Sequence, residues 1–173
     1  MFFRQIKAFT LIELIVTITI LAIITTIALP HFHGLLAKQE IKSTTHNLIM
    51  SMHMAKNHAA IQHNNVVICP SADGLNCQAN SWNSGYLGFM DINKNRQVDV
   101  DEKIIFTRAI NLKYGNLDWR GTLSIPSLTF QASNGLPNGS NGSFYYCSSD
   151  QVTHSKVVLS RMGHIRVEHS VNC

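Results

Sequence analysis

One apolar run near the amino terminus restricts what this 173-residue chain can fold into more than any other feature. The run extends over 21 residues from Phe9 to Leu29, and Glu13 is its single charged side chain. At about 1.5 Å rise per residue, a helix of this length spans about 31 Å, enough to cross the hydrocarbon core of a bilayer. An ionised carboxylate is costly in lipid, so Glu13 needs a partner. We expect a positive charge on a neighbouring copy of such a helix.

A short leader, Met1 to Ala8, precedes the run and carries Arg4 and Lys7. Positively charged residues beside a membrane helix stay on the cytoplasmic side. The leader therefore predicts a membrane protein with a single span. Everything after Pro30 would lie outside the cytoplasm.

Two other interpretations of the run remain open. A conventional secretory signal ends at a small-residue cleavage site, which Ala28-Leu29-Pro30 could imitate. A plain membrane anchor also fits the length of the run, but it leaves Glu13 unexplained.

The start of the run resembles the class III prepilin signal of type IV pilins and type II secretion pseudopilins, in Ala8-Phe9-Thr10-Leu11-Ile12-Glu13-Leu14-Ile15-Val16. The resemblance implies that a prepilin peptidase cuts between Ala8 and Phe9, and that Phe9 is then N-methylated. It also implies that Glu13 neutralises the terminal amine of the adjacent subunit, and that Pro30 is the helix-kinking proline of that family. The chain departs from the family at Ala8, where pilins almost always have Gly.

The pattern along the whole chain predicts four segments. These are the leader peptide over 1–8, the transmembrane assembly helix over 9–29, its amphipathic continuation over 30–65, and a β-rich periplasmic or extracellular head over 66–173. The continuation has apolar or small residues at helical spacing, in Ile41, Thr45, Leu48, Met52, Ala55 and Ala59. We expect the helix to end near His63-Asn64-Asn65.

Short β-like runs follow between Gly, Asn, Pro and Ser clusters. Candidate strands are Val66 to Cys69, Gly85 to Met90, Lys103 to Arg108, Leu123 to Phe130 with an interruption at Pro126, Phe144 to Cys147, Lys156 to Ser160 and His164 to Glu168. Three Asn-Gly pairs between Ser133 and Ser143 predict a flexible exposed loop. The fold class is α+β, a long N-terminal helix packed on an antiparallel β-rich head, as in pilins.

All four cysteines lie beyond the apolar run. An even number in an exported domain favours disulfides, and four cysteines allow three pairings. We favour Cys69–Cys77, which closes a small loop, and Cys147–Cys173, which ties the last residue to a strand. Zinc is the alternative, but none of the cysteine spacings is the two to four residues of a zinc site.

Two segments of the head are similar to the FimT/GspH group of minor pilins and pseudopilins, namely Trp82-Asn83-Ser84-Gly85-Tyr86-Leu87-Gly88-Phe89-Met90-Asp91-Ile92-Asn93 and Val158-Leu159-Ser160-Arg161-Met162-Gly163-His164-Ile165-Arg166-Val167. Members of this group prime the assembly of a pilus or pseudopilus and sit near its tip. Some of them bind DNA during natural transformation.

An acidic loop between two predicted strands has the oxygen spacing of a calcium loop, in Asp91, Asn93, Asn95, Asp99 and Glu102. Arg96 occupies the place where such a loop needs Gly, and its charge opposes a cation. A turn-rich β-hairpin is the simpler interpretation, and calcium remains the weaker one.

A basic stretch near the carboxyl end supplies the candidate DNA contacts Lys156, Arg161, His164 and Arg166. DNA-binding members of the group have Gly-Arg-x-Arg here, whereas this chain has Gly163-His164-Ile165-Arg166. A solvated strand face is as good an explanation, since the net charge of the whole chain is only +4.

The sequence contains no Gly-x-Ser-x-Gly turn, phosphate-binding Gly loop or dinucleotide fingerprint, so we expect no enzyme and no cofactor. The expected function is participation in the assembly of a type IV pilus or a type II secretion pseudopilus, with DNA uptake as the alternative. The expected partners are other pilins or pseudopilins, the prepilin peptidase and the inner membrane, and DNA under the alternative.

Overall fold

The computed structural model describes residues 10–149, 154–170 and 173. It contains one long helix, α1 (Leu11–Gln62), and eight strands: β1 (Asn65–Pro70), β2 (Gly85–Asp91), β3 (Ile104–Ala109), β4 (Gly115–Gly121), β5 (Leu128–Phe130), β6 (Gly142–Ser148), β7 (His154–Leu159) and β8 (Ile165–Ser170). The chain forms two compact units, Met1–Leu36 and Ala37–Cys173, called here the helix unit and the head unit.

The strands of the head unit form two four-stranded antiparallel sheets. Sheet A has the order β3-β2-β1-β5, and sheet B has the order β4-β6-β7-β8. Four of the six neighbouring pairs are also consecutive in the chain, and loops over 71–84 and 92–103 connect β1 to β2 and β2 to β3. The exception in sheet A is β5, which returns to pair with β1 on the side away from β2.

The second half of α1 supplies the core of the head unit with an apolar stripe. Leu48, Met52, Ala55 and Ala59 are buried, as the spacing in the sequence predicts. They pack with buried aromatic side chains from both sheets, among them Trp82, Tyr86, Trp119, Phe130, Phe144 and Tyr146. Burial of this stripe, rather than helix propensity alone, holds α1 against the sheets.

Sheet A is buried on its other face as well. All six residues of β1 are buried, and Val67, Cys69, Leu87 and Phe89 form a second small core. Val98 from the β2–β3 loop and Cys77 cover this cluster. The acidic loop therefore has a structural task, because one of its apolar side chains closes the back of the sheet.

The structure differs from the sequence-based expectation around β4 and β5. No strand was expected over Gly115–Gly121, although its buried and exposed residues alternate regularly. The expected strand over Leu123 to Phe130 is instead a 3₁₀ turn, Thr122–Ser124, followed by the three-residue β5. Leu123 and Ser124 both have positive φ, a conformation that does not occur within a strand.

The Asn-Gly loop over 133–143 was expected to be exposed, but it packs partly into the head unit. Gly135, Pro137 and Ser140 are buried. A Cβ on Gly135 would lie 2.9 Å from the carbonyl oxygen of Lys56, so this glycine allows the loop to lie against α1. The Asn-Gly pairs set the turn geometry here, and part of the loop is buried against the head unit.

Candidate functional site

The first part of α1 presents an apolar surface on every side. All side chains over 11–28 are exposed, and apart from Glu13 they are apolar or threonine. The helix is long and apolar enough to cross a membrane, by length and composition. A helix of this kind needs a lipid or protein environment to cover it.

Glu13 has partners within its own chain. Its Oε2 accepts hydrogen bonds of 3.2 Å from both the backbone N–H and the hydroxyl of Thr10, and the Glu13 N–H donates to Thr10 Oγ1. This is a capping box, in which a Thr and a Glu three residues later satisfy the free donors at a helix start. The Thr-x-x-Glu spacing is visible in the sequence, but the expectation for Glu13 overlooked it.

The threonines of the same segment satisfy their hydroxyls inside the helix. The hydroxyls of Thr17, Thr19, Thr25 and Thr26 donate to carbonyls three or four residues earlier. A hydroxyl bonded in this way does not need water, so these residues are compatible with lipid.

The other residues of the prepilin signal can be placed only in part. Ala8 and Phe9 lie outside the described residues. α1 is continuous through position 30, where Pro30 lacks the N–H that would bond to the Thr26 carbonyl. The proposed roles of these three residues remain proposals.

The candidate DNA-contact residues of the head unit lie on β7, β8 and the turn between them. Lys156 Nζ lies 3.2 Å from Glu168 Oε2, and Arg166 Nε lies 2.6 Å from Glu168 Oε1. Arg161 and His164 are exposed in the turn. Glu168 therefore neutralises part of the expected basic patch, and the hydrogen bonds from Arg166 and Lys156 lower the pKa of its carboxyl.

The outer face of sheet B adds Arg120 and Tyr145 to this patch, two residues that the sequence analysis missed. Directly paired residues form a row across all four strands: Asp118, Tyr145, Lys156 and Glu168. Arg120 lies over the Tyr145 ring at 4.4 Å from its centroid, and Lys156 lies at 5.6 Å. Cations at these distances from an aromatic ring are attracted by its π-electrons. Only the register of β4 and β6 brings Arg120 beside Tyr145, so the sequence alone carried no signal for it.

Arg120 is also held at its guanidinium by two polar groups. It forms a 3.0 Å salt bridge with Asp118 and donates to the main-chain oxygen of Cys173 at 3.2 Å. Exposed pairs of this kind stabilise a fold only weakly. Their effect is mainly to fix the orientation of Arg120.

The structure contains two disulfides, Cys69–Cys77 and Cys147–Cys173, with Cα–Cα distances of 5.5 Å and 5.8 Å. These are the two pairings that the sequence analysis favours. The first fixes the loop that covers the back of sheet A, and the second ties Cys173 to β6. Both lie in the head unit, which agrees with an exported domain.

The acidic loop over 91–102 uses most of its oxygens internally. Asp91 is buried and accepts the N–H groups of Asn95 and Arg96, while Asp99 accepts the side-chain amides of Asn93 and Asn95. Glu102 accepts the backbone N–H groups of Ile92 and Asp99. Across the described ranges, no three His, Cys, Asp or Glu side chains are grouped to hold a metal ion. Calcium binding remains an untested proposal.

A long helix with an apolar first part, whose second part packs on an antiparallel, disulfide-bonded β head, is the architecture of a pilin-like protein. The N-terminal methylation motif of prokaryotes matches residues 3–29, and the family model described as type II transport protein GspH matches residues 44–163. The chain therefore belongs to the GspH family, which comprises minor pilins and pseudopilins of type IV pili and type II secretion systems.

Two solved structures have the same fold. The type IV minor pilin FimU of Pseudomonas aeruginosa is 17% identical, with a TM-score of 0.51, over 76% of this chain and 90% of that one. The minor pseudopilin EpsH from the type 2 secretion system of Vibrio cholerae is 12% identical, with a TM-score of 0.52, over 75% and 97%. A comparison with curated protein sequences gives no match. At these identities the likeness concerns the fold alone, and it agrees with the predicted α+β class.

Proposed function

We propose that the chain is a subunit that takes part in starting the assembly of a type IV pilus or a type II secretion pseudopilus, at or near the filament tip. One observation carries the proposal: the helix over 11–28 is exposed and apolar on every side, with Glu13 as its only charge. Lipid covers such a surface before assembly. Packing of subunits helix against helix covers it afterwards.

Glu13 has two candidate tasks that variants can separate. As a capping residue it needs only an acceptor oxygen, which Gln also supplies. As the partner of a neighbouring subunit's terminal amine it needs its negative charge. Glu13→Gln removes the charge and keeps the acceptor, Glu13→Ala removes both, and Thr10→Ala removes only the capping hydroxyl.

The experiment measures each variant in the membrane and in the sheared filament or pseudopilus fraction. We expect both Glu13 variants to reach the membrane at the level of the unsubstituted protein. Their incorporation should fall at least tenfold, while Thr10→Ala keeps most of it. Normal incorporation of Glu13→Gln would show that the charge has no part in assembly.

The role in starting filaments has its own readout. Deleting the gene for this chain should reduce the number of filaments per cell much more than their length, because fewer filaments would start to assemble. Counting pili and measuring type II secretion in the same deletion strain also identifies the machine. A strain with normal filament number and normal secretion would contradict the proposal.

DNA binding is the second candidate function, and the outer face of sheet B is the observation that favours it. Arg120, Lys156 and Arg166 lie on one face with Tyr145 between two of them. Cations around an aromatic ring can contact phosphates, and the ring itself can stack on a base. The salt bridges to Asp118 and Glu168 oppose this function, because they leave the face with little net positive charge.

The DNA alternative predicts how salt and three substitutions change the affinity for DNA. Duplex DNA would bind the full chain in detergent with an affinity that falls steeply with salt. Arg161→Ala with Arg166→Ala would abolish binding, and Glu168→Gln would strengthen it by freeing Lys156 and Arg166. Fluorescence anisotropy at low salt measures all three, and the absence of binding there dismisses the alternative.

A further inference from the structure

The head unit has a groove between α1 and β8 that no role described above uses. Its volume is about 390 Å³, and its floor is apolar, formed by Ile41, Ile49 and Val167. β8 is an edge strand of sheet B, so one side of it pairs with no other strand of the described part of the chain. Val167 lies on the face of β8 that points toward the core, yet it is 46% exposed because none of the described residues covers it fully there.

Two exposed lysines, Lys38 and Lys42, give the rim of the groove its positive charge. His46 and His169 also line the rim and are exposed. Neither lysine forms a salt bridge within the described ranges. An apolar floor inside a basic rim fits an aliphatic side chain flanked by carboxylates.

The same head unit carries a segment of that chemistry on another surface. Val100 in the β2–β3 loop is 102% exposed, the most exposed large apolar side chain of the described residues. Asp99 and Asp101 flank it, and both are exposed. The loop shares no residue with the groove and extends from sheet A, whereas the strand side of the groove belongs to sheet B.

We propose that the α1–β8 groove of one subunit binds the Val98–Glu102 segment of a second copy of this chain, with Val100 on the apolar floor and Asp99 and Asp101 toward Lys38 and Lys42. The two surfaces differ, so the contact is head-to-tail. A head-to-tail contact leaves a free groove on one copy and a free loop on the other. The inference rests on the proposed assembly function and adds a contact between heads to it.

The test is photo-crosslinking of the full chain in its own cell envelope, with benzoylphenylalanine in place of Val100. We expect a homodimer whose crosslink maps to the groove. After reduction and trypsin, the crosslinked peptide is Gln39–Lys42, Ser43–Lys56 or Val167–Cys173, which carry Ile41, Ile49 and Val167. The same photo-probe in place of Met162, which is also exposed but outside the groove and the loop, gives no such product.

Charge reversal then identifies the orientation. Lys42→Glu and Asp101→Lys should each reduce the crosslink at least fivefold, and the double variant should restore it, because the pair is reversed. Arg161→Glu makes the same change in charge at an exposed site away from the groove and should leave the yield unchanged. No crosslink, a crosslink to another protein, or a homodimer mapped elsewhere overturns the inference.

The filament fraction of the same cells separates this inference from the assembly proposal. Normal incorporation without the Val100 crosslink refutes the head contact and leaves the assembly proposal standing. A homodimer that maps to the groove, in cells that never incorporate the chain into filaments, refutes the assembly proposal and leaves the head contact standing.

Discussion

Tyr146 on β6 donates a 2.6 Å hydrogen bond from its hydroxyl to Glu40 Oε1 on α1, across 106 positions of the chain. The same carboxylate accepts the backbone N–H groups of Lys113 at 2.9 Å and Tyr114 at 3.1 Å. One side chain thus joins the helix to sheet B and to the segment that leads into β4. Glu40 is only partly buried, so the ionised group keeps contact with solvent.

Removing the Glu40 carboxylate should lower the free energy of unfolding more than removing the Tyr146 hydroxyl does. Glu40→Ala leaves two backbone N–H groups without their acceptor, whereas Tyr146→Phe removes one donor and leaves the others in place. Hydrogen bonds to a charged group contribute about 1.5 to 3 kcal/mol each. Because water can replace part of the lost bonds at this partly buried site, we expect Glu40→Ala to lower the free energy of unfolding by about 3 kcal/mol, less than three full bonds, and Tyr146→Phe by about 1.5 kcal/mol. Urea unfolding of the full chain in mild detergent measures both, and equal losses would contradict the three-bond arrangement.

Alkaline pH should destabilise the head unit through its buried tyrosines. Burial, the hydrogen bond to Glu40 and the charge of Glu40 all raise the pKa of Tyr146. Burial also raises the pKa of Tyr86, against the opposing effects of Ser51 and Arg108. A folded-state pKa above the unfolded value of about 10 means that the folded chain keeps a proton that the unfolded chain releases.

The contribution of these groups is therefore complete below pH 10 and is lost as the pH rises above it. We expect the unfolding free energy to fall above about pH 10. It should fall less steeply in Tyr146→Phe than in the unsubstituted chain. Parallel slopes for the two proteins between pH 9 and about pH 11 would show that Tyr146 does not contribute.

The two disulfides should differ modestly in what their loss costs. Cys147–Cys173 spans 26 positions and Cys69–Cys77 spans 8. In the chain-entropy model each contributes about 3 kcal/mol, slightly more for the longer loop. Paired Ser variants of each bridge, compared by urea unfolding, test this ordering. A larger loss for Cys69–Cys77 would instead reflect its second task of holding the cover of sheet A.

Two glycines of the Asn-Gly loop offer a matched comparison. Gly135 and Gly139 both have positive φ, so Ala at either position meets a backbone penalty of about 1 kcal/mol. A Cβ on Gly135 also meets the Lys56 carbonyl oxygen at 2.9 Å, while nothing lies within 4 Å of one on Gly139. Gly135→Ala should therefore cost at least about 1 kcal/mol more than Gly139→Ala. Similar melting temperatures for the two variants would mean that the loop moves away from α1 without cost.

The parts of the fold that local chemistry determines could be predicted from the sequence. The apolar run, the buried stripe at Leu48 and Met52 and most strand positions follow from periodicity and turn residues. The sequence analysis missed β4 even though local chemistry also marks this strand. Its alternation of Leu117 and Trp119 with polar residues was visible, but the run is short and bounded by glycines.

The contacts that position the site could not be predicted, because they depend on pairing between distant segments. The placement of Arg120 over Tyr145 needs the register of β4 against β6. The pairing of Lys156 and Arg166 with one glutamate needs the register of β7 against β8. The cations of the sequence alone therefore overstate the basic patch, because the position of Glu168 between Lys156 and Arg166 is set by this register.

Mass spectrometry of the mature protein, isolated from membranes and from the filament fraction, tests the central claim most directly. We predict a chain that begins at Phe9 with a methylated amine, despite Ala8 at the position before the cut. Ala8→Gly should increase the processed fraction or leave it unchanged. A mature chain that begins after Ala28, or one that retains Met1 in assembled filaments, would contradict the account.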